Sequence, residues 1–214
     1  SVDELIVTDI DATIKKQEPN YDLLEKIANE CRMPLCYGGG ILNIEQAQRI
    51  FSLGVEKIAL SSAAIKNPYL ISEIADSVGS QSVVLVLDVK RNFFGNKYEI
   101  FTHNGKNKTG IEPISFIKKL DKSSIGEIVI NSIDNDGLMK GYDLKIIEKA
   151  RNATDLPMTF LGGAGSLSDI SKIITKYKII GAGAGSLFVF KGKYRAVLIN
   201  YPNVEEKLKI LNSF

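Results

Sequence analysis

The sequence of 214 residues holds a single histidine, His103, and two cysteines, Cys31 and Cys36. One histidine excludes a two-histidine metal site and confines any Ser-His-Asp triad to that residue. The cysteine spacing fits neither a CxxC redox pair nor a zinc knuckle. The pair falls at a helix end and in the strand after it, as buried reduced thiols of a cytoplasmic protein do. No run approaches the ~18 apolar residues of a membrane span, and no segment reads as a basic-then-apolar leader. Charge of one sign is also lacking: 27 basic side chains stand against 25 acidic ones, a net +2. The lysines are scattered rather than gathered in a stripe, so there is no electrostatic footprint for nucleic acid. What is present is 44% hydrophobic residues, enough for one domain with a substantial core.

Short apolar runs alternate with stretches of helical period. Seven candidate strands are Leu5–Asp9, Pro34–Tyr37, Lys57–Ser61, Val83–Asp88, Ile128–Ser132, Pro157–Leu161 and Ile179–Ala184. Most are near-continuous Val, Ile and Leu, the composition of parallel strands covered on both faces. Between them, Asn43 is placed to cap a helix with Ile44, Ala47, Ile50 and Phe51 on one side and Gly54 as its stop. Asn67-Pro68 and Ser166 open two more. The exception is Asn92–Gly110, where Tyr98–Thr102 reads as part of an inserted hairpin carrying His103, a surface-loop residue.

Seven strands fall one short of a closed (βα)8 barrel. An internal repeat accounts for the shortfall. Ile6-Val7-Thr8-Asp9 resembles Ile128-Val129-Ile130-Asn131 (131 − 9 = 122), and Gly38-Gly39-Gly40 resembles Gly162-Gly163-Ala164 (162 − 38 = 124). Ser62-Ala63-Ala64 loosely matches Ser186-Leu187-Phe188 at the same spacing. The expectation is an α/β fold, a TIM barrel of two half-barrel repeats with their boundary near residue 80, forming one domain over residues 1–214 and lacking its first βα unit. The strand ending at Asp88 then has no first-half counterpart, and an open sheet would leave two apolar edges.

In such barrels chemistry sits at the carboxyl ends of the strands. Gly39–Gly40 and Gly162–Gly163 follow two strands, and Ser61–Ser62 and Gly185–Ser186 follow two more. Each glycine run is either a tight turn or a place where backbone N–H groups meet an anion. Their paired arrangement suggests an elongated ligand with a phosphate at each end. Asp88 follows five apolar residues, which makes a partly desolvated proton carrier. Asp9, Asp11, Asp134 and Asp136 are either acids of the mouth or helix caps and turns. At the opposite rim, the alternation that turns Ser61 and Asn131 toward the mouth sends Lys57 and Glu127 inward at the floor, with Glu4 at the same level. That floor is either a solvated rim or an ionic gate.

The segments Leu5–Thr13, Tyr37–Ile41, Gly79–Arg91, Ser132–Asp136, Gly141–Asp143 and Gly162–Gly165 resemble the cyclase subunit (HisF) of imidazole glycerol phosphate synthase from its second barrel strand onward. That resemblance implies a lyase of histidine biosynthesis, without metal or organic cofactor, in a heterodimer with a HisH-like glutaminase. Ammonia from the glutaminase crosses the barrel to a bisphosphorylated nucleotide. It implies a catalytic role for Asp88, whose partner aspartate belongs to the first strand, and active-site roles for Asp9 and Asp136. It further implies that Gly39, Gly40, Ser61, Ser62, Asn131, Gly162, Gly163, Gly185 and Ser186 are expected to bind substrate and its phosphates, and that Glu4, Lys57 and Glu127 are expected to form the ammonia gate. Asn131, Leu138 and Leu161 depart from the histidine-pathway pattern. The insert after Asn92 and the segment Lys191–Arg195 are similar to paralogues that deliver ammonia for acetamido-to-acetamidino modification of surface-polysaccharide sugars. A related sugar isomerase without a floor gate, and a non-catalytic barrel activating a glutaminase, are the other readings.

Overall fold

The computed structural model describes residues 2–92, 97–177, 181–192 and 194–211. Seven parallel strands form its central sheet: β1 (Leu5–Thr8), β2 (Leu35–Gly38), β3 (Lys57–Leu60), β4 (Val83–Arg91), β7 (Glu127–Ser132), β8 (Met158–Leu161) and β9 (Gly181–Ala182). They lie side by side in that order, leaving β1 and β9 as edges. The hairpin β5 (Tyr98–Thr102) and β6 (Asn107–Lys108) hangs antiparallel from β4. All seven candidate strands are therefore present; the first two residues of the last, 179–180, lie outside the described ones, as do 93–96 of the insert. This is the curled parallel sheet of a TIM-barrel-type α/β fold.

The helices form where capping and apolar period coincide. Helix α3 (Ile44–Ser52) starts at Asn43, whose Oδ1 accepts from Gln46 N–H at 2.9 Å, and it buries Ala47 and Ile50. Helix α8 (Leu167–Tyr177) starts at Ser166, whose hydroxyl accepts from Asp169 N–H at 3.2 Å, and buries Ile170 and Ile173. Helix α5 (Tyr69–Val78) begins differently from the expectation. Pro68 itself takes the cap position, and no side chain caps the end. Among the described residues, no helix is long and apolar enough to cross a membrane.

Alternation along the strands separates two apolar layers. Leu35, Tyr37, Ile58, Leu60, Leu85, Ile128 and Phe160 face the helices in the large core. Cys36, Ala59, Val84 and Val129, with Val86 and Leu161 against them, form a small cluster on the concave face. Burial pushes the Cys36 thiol up to about 12, helped by Glu4 and Glu127, so it stays protonated; Cys31 and Cys36 are both free.

The repeat is real, but its register differs by a residue from the one that the glycine strings suggest. Both strand pairs have the same offset, and the glycine environments make Thr8 the counterpart of Asn131 and Gly38 that of Leu161 in the repeat. Gly39 then matches Gly162 and Gly40 matches Gly163. Asp9 matches Ser132, since a Cβ on either leading glycine would strike the carbonyl oxygen of Asp9 or Ser132, at 2.5 and 2.6 Å. Beside the start of β1 the tail folds back. Tyr201 donates to Asp3 at 2.8 Å and Lys207 pairs with the same carboxylate at 2.8 Å, which holds Asp3 below the usual carboxylate range.

Candidate active site

Three side chains meet above the concave cluster. Asp88 follows Val84 and Val86 on the inward row of β4, and its Oδ1 accepts from Asn131 Nδ2 at 2.9 Å. Burial pushes the Asp88 carboxyl up, and the nearby Asp136 charge adds to this, against the pull of Asn131 and Ser61. The Ser61 hydroxyl favours ionised Asp88 by proximity but is not in hydrogen-bonding geometry with it. Ser61 Oγ and Asn131 Oδ1 are both buried without a hydrogen-bond partner among the described residues. Buried polar atoms left unpaired are costly, and a bound ligand is what commonly pairs them. The strand carrying Asp88 runs three residues further than the sequence suggests, because β5 pairs with it from Asp88–Phe101 to Arg91–Tyr98.

The second-half turns build an open pocket. It is lined by Asp136 and Gly137 from the loop after β7, by residues 162–164 after β8 and by residues 183–186 after β9. Gly162 (φ 92°) and Gly163 (φ 109°) hold left-handed backbone there, and a Cβ on Gly163 would lie 2.2 Å from the Gly141 carbonyl. Gly185 and Ser186 stand where α9 (Ser186–Val189) begins. This collects Asp136, Gly162, Gly163, Gly185 and Ser186 in one place. The first-half counterpart is covered differently. Gly39 and Gly40 are again left-handed, at φ 125° and 70°, but Ser62 accepts from the His103 N–H at 3.2 Å. Asn104 of the same hairpin donates to the Ile10 carbonyl. The tip of the insert thus leans on the first-half turn, and His103, in the hairpin's loop, is a neighbour of the mouth. Asp9 is occupied locally: its Oδ1 accepts from the Asp11 and Ala12 N–H groups, each at 3.1 Å.

At the floor, Lys57 Nζ lies 3.0 Å from Glu4 and 3.1 Å from Glu127. Burial opposes the charge on Lys57, but the two carboxylates outweigh it and its pKa is raised. Thr159 completes the cluster by donating to Glu127 Oε1 at 2.6 Å. The three side chains meet on the inward face, as alternation requires, and remain partly exposed at this end of the sheet. Sequence reasoning did not single out Thr159, although it shares the inward row of Leu161. The concave face therefore runs from an ion cluster, through an apolar collar, to a carboxylate flanked by unpaired polar atoms.

A curled parallel sheet with a carboxylate and paired glycine turns at the carboxyl ends of its strands defines the class: a TIM-barrel-type α/β protein with its candidate site at the mouth. Residues 1–195 match the family described as "Histidine biosynthesis protein", and the chain belongs to that family. A Vibrio vulnificus protein named "Putative imidazole glycerol phosphate synthase subunit hisF3" is 55% identical over 209 residues, covering 98% of this chain and 80% of that protein. A Leptospira interrogans protein named "Putative imidazole glycerol phosphate synthase subunit HisF" is 55% identical over 205 residues, 96% of this chain and 81% of its own. The Lactococcus lactis subsp. cremoris (strain SK11) "Imidazole glycerol phosphate synthase subunit HisF" is 39% identical over 186 residues, 87% of this chain and 72% of its own.

Proposed function

We propose that this chain is a cyclase-type subunit of imidazole glycerol phosphate synthase. It takes ammonia from a glutaminase subunit docked at its floor and adds it to a bisphosphorylated nucleotide held at its mouth. The products are imidazole glycerol phosphate and an aminoimidazole carboxamide ribotide, which makes the chain a lyase of histidine biosynthesis. The observation that carries the reading is the vertical order of the concave face. Lys57, Glu4 and Glu127 close the bottom, apolar Cys36, Ala59, Val84 and Val129 line the middle, and Asp88 waits above. Ammonia, small and neutral, crosses an apolar collar that excludes ions.

In this scheme Asp88, its carboxyl raised by burial, exchanges protons with the reacting centre while Asn131 orients it. The glycine turns with Ser62 and Ser186 seat the two phosphates. Asp136 stands beside the second of them, and Asp9 braces the first turn. No cofactor is required.

Leu161 on the concave face and exposed Leu138 at the mouth favour one other reading, ammonia delivery to an acetamido sugar of a surface polysaccharide. Two small hydroxyl side chains would serve the histidine-pathway nucleotide better at those positions. The test is turnover of that nucleotide with ammonium salts, and with glutamine plus a glutaminase subunit. The proposal expects both in the wild type, and in Lys57→Met it expects loss of the glutamine-driven reaction only. No turnover under either condition overturns the histidine-pathway assignment.

A further inference from the structure

The second-half pocket has a charge problem. Among the described residues, its lining offers backbone N–H groups, the Ser186 hydroxyl and one carboxylate, Asp136, but no cationic side chain. A phosphate monoester brings a charge of about −1.5 to −2, and next to Asp136 that charge needs a counter-ion. The chain leaving the pocket supplies one. From Ser186 it runs through α9 into a hairpin of β10 (Phe190–Lys191) and β11 (Ala196–Val197), and Arg195 sits in the turn. Arg195 adopts left-handed backbone at φ 50°, which costs a non-glycine residue about 1 kcal/mol. Its guanidinium lies 5.2 Å from the Phe190 ring centroid, and its Nη2 donates to the carbonyl of Gly137 at 2.7 Å. Gly137 is part of the pocket wall.

We propose that Arg195 is a ligand-binding residue of this pocket, its guanidinium pairing with the phosphate seated against Gly163 and Ser186. A guanidinium has five N–H donors in a rigid fork, and the Gly137 bond uses one of them. The remaining donors are left for a bidentate contact with the anion, which backbone amides alone do not provide. The hairpin is thereby a charged flap on the anion site. The proposal rests on the phosphate reading of the pocket.

The test titrates the chain with inorganic phosphate while following the backbone amide signals of Gly163 and Ser186, in the wild type and in Arg195→Gln, Arg195→Lys and Ser186→Ala. Arg195 is exposed, so its variants keep the fold, and unchanged melting verifies this. The expected result is phosphate affinity lowered about tenfold in Arg195→Gln, a smaller loss in Arg195→Lys, and a weaker salt dependence in the glutamine variant. If Arg195→Gln binds as the wild type does while Ser186→Ala binds more weakly, Arg195 is not a ligand residue and the phosphate pocket stands. If phosphate moves neither amide in the wild type, the pocket reading and this proposal fall together.

Discussion

Replacing Lys57 by methionine tests the floor cluster through stability alone, before any substrate is needed. The side chain keeps its length and loses its charge, so Glu4 and Glu127 are left facing one another without a cation. Each contact, at 3.0 and 3.1 Å, has a gross attraction of about 5 kcal/mol at an effective dielectric of 20. Most of that is cancelled by the desolvation of the three groups. The Lys57 side chain is 26% exposed, against 33% for Glu4 and 15% for Glu127, so the cluster lies between a surface pair and a fully buried one. Surface pairs contribute about 0.2–1 kcal/mol each, and breaking a buried pair costs about 3–5. A loss of about 2 kcal/mol follows for Lys57→Met, which lowers the melting midpoint by roughly 4–8 °C in a chain of this size. Urea unfolding followed by circular dichroism measures it. A double-mutant cycle with Glu127→Gln should show a coupling of at least about 1 kcal/mol, because the two side chains touch. The raised Lys57 pKa adds a sign: the cluster's contribution is complete below the ordinary lysine pKa of 10.5 and fades as pH climbs through the higher folded value. A cost under about 0.5 kcal/mol together with zero coupling would refute the idea of a closed ionic floor, since that is the behaviour of a solvated rim.

Two further outcomes are expected. Asp88→Asn abolishes turnover yet stabilises the chain at neutral pH. Burial raises the folded pKa of Asp88, so its ionised form costs stability once pH exceeds the unfolded value near 3.8; the advantage of asparagine should vanish below that pH in parallel pH–stability curves. Equal stability of the two proteins at pH 7 would contradict the assigned burial. Gly162→Ala should lower stability by about 2 kcal/mol or more in urea titrations, through a left-handed φ of 92° and a Cβ placed 2.6 Å from the Ser132 carbonyl. A neutral result would mean that the turn adapts freely.

The cluster shows how far alternation alone carries. Lys57, Ala59 and Ser61 share a face by parity, so their orientation follows from the strand assignment without any knowledge of neighbours. The repeat was also readable, because Asn43 and Ser166 cap equivalent helices with the same buried stripe. Its register was not. Aligning the glycine strings sets Gly38 against Gly162, whereas pairing in the sheet sets Gly39 against Gly162. Asp9 was for the same reason compared with Asn131, although only Asn131 reaches Asp88; the Asp9 carboxylate is turned to the Asp11 and Ala12 amides. Similar strings report which residues recur, while hydrogen bonds between strands decide which face each one takes.

The sequence by itself determined the alternating strands and helices, the caps that start α3 and α8, the inward side of each strand, and the acids and glycines available at the rim. These are local properties, set by periodicity, side-chain hydrogen bonding to nearby amides and the freedom of glycine. Tertiary structure decided the rest. It brought Lys57 and Thr159 to Glu127, set His103 against Ser62, and carried Arg195 to Gly137 across 58 residues. Contacts at such separations depend on how the sheet curls and how its loops pack over the mouth. Those are outcomes of the whole core's packing, and no local pattern encodes them.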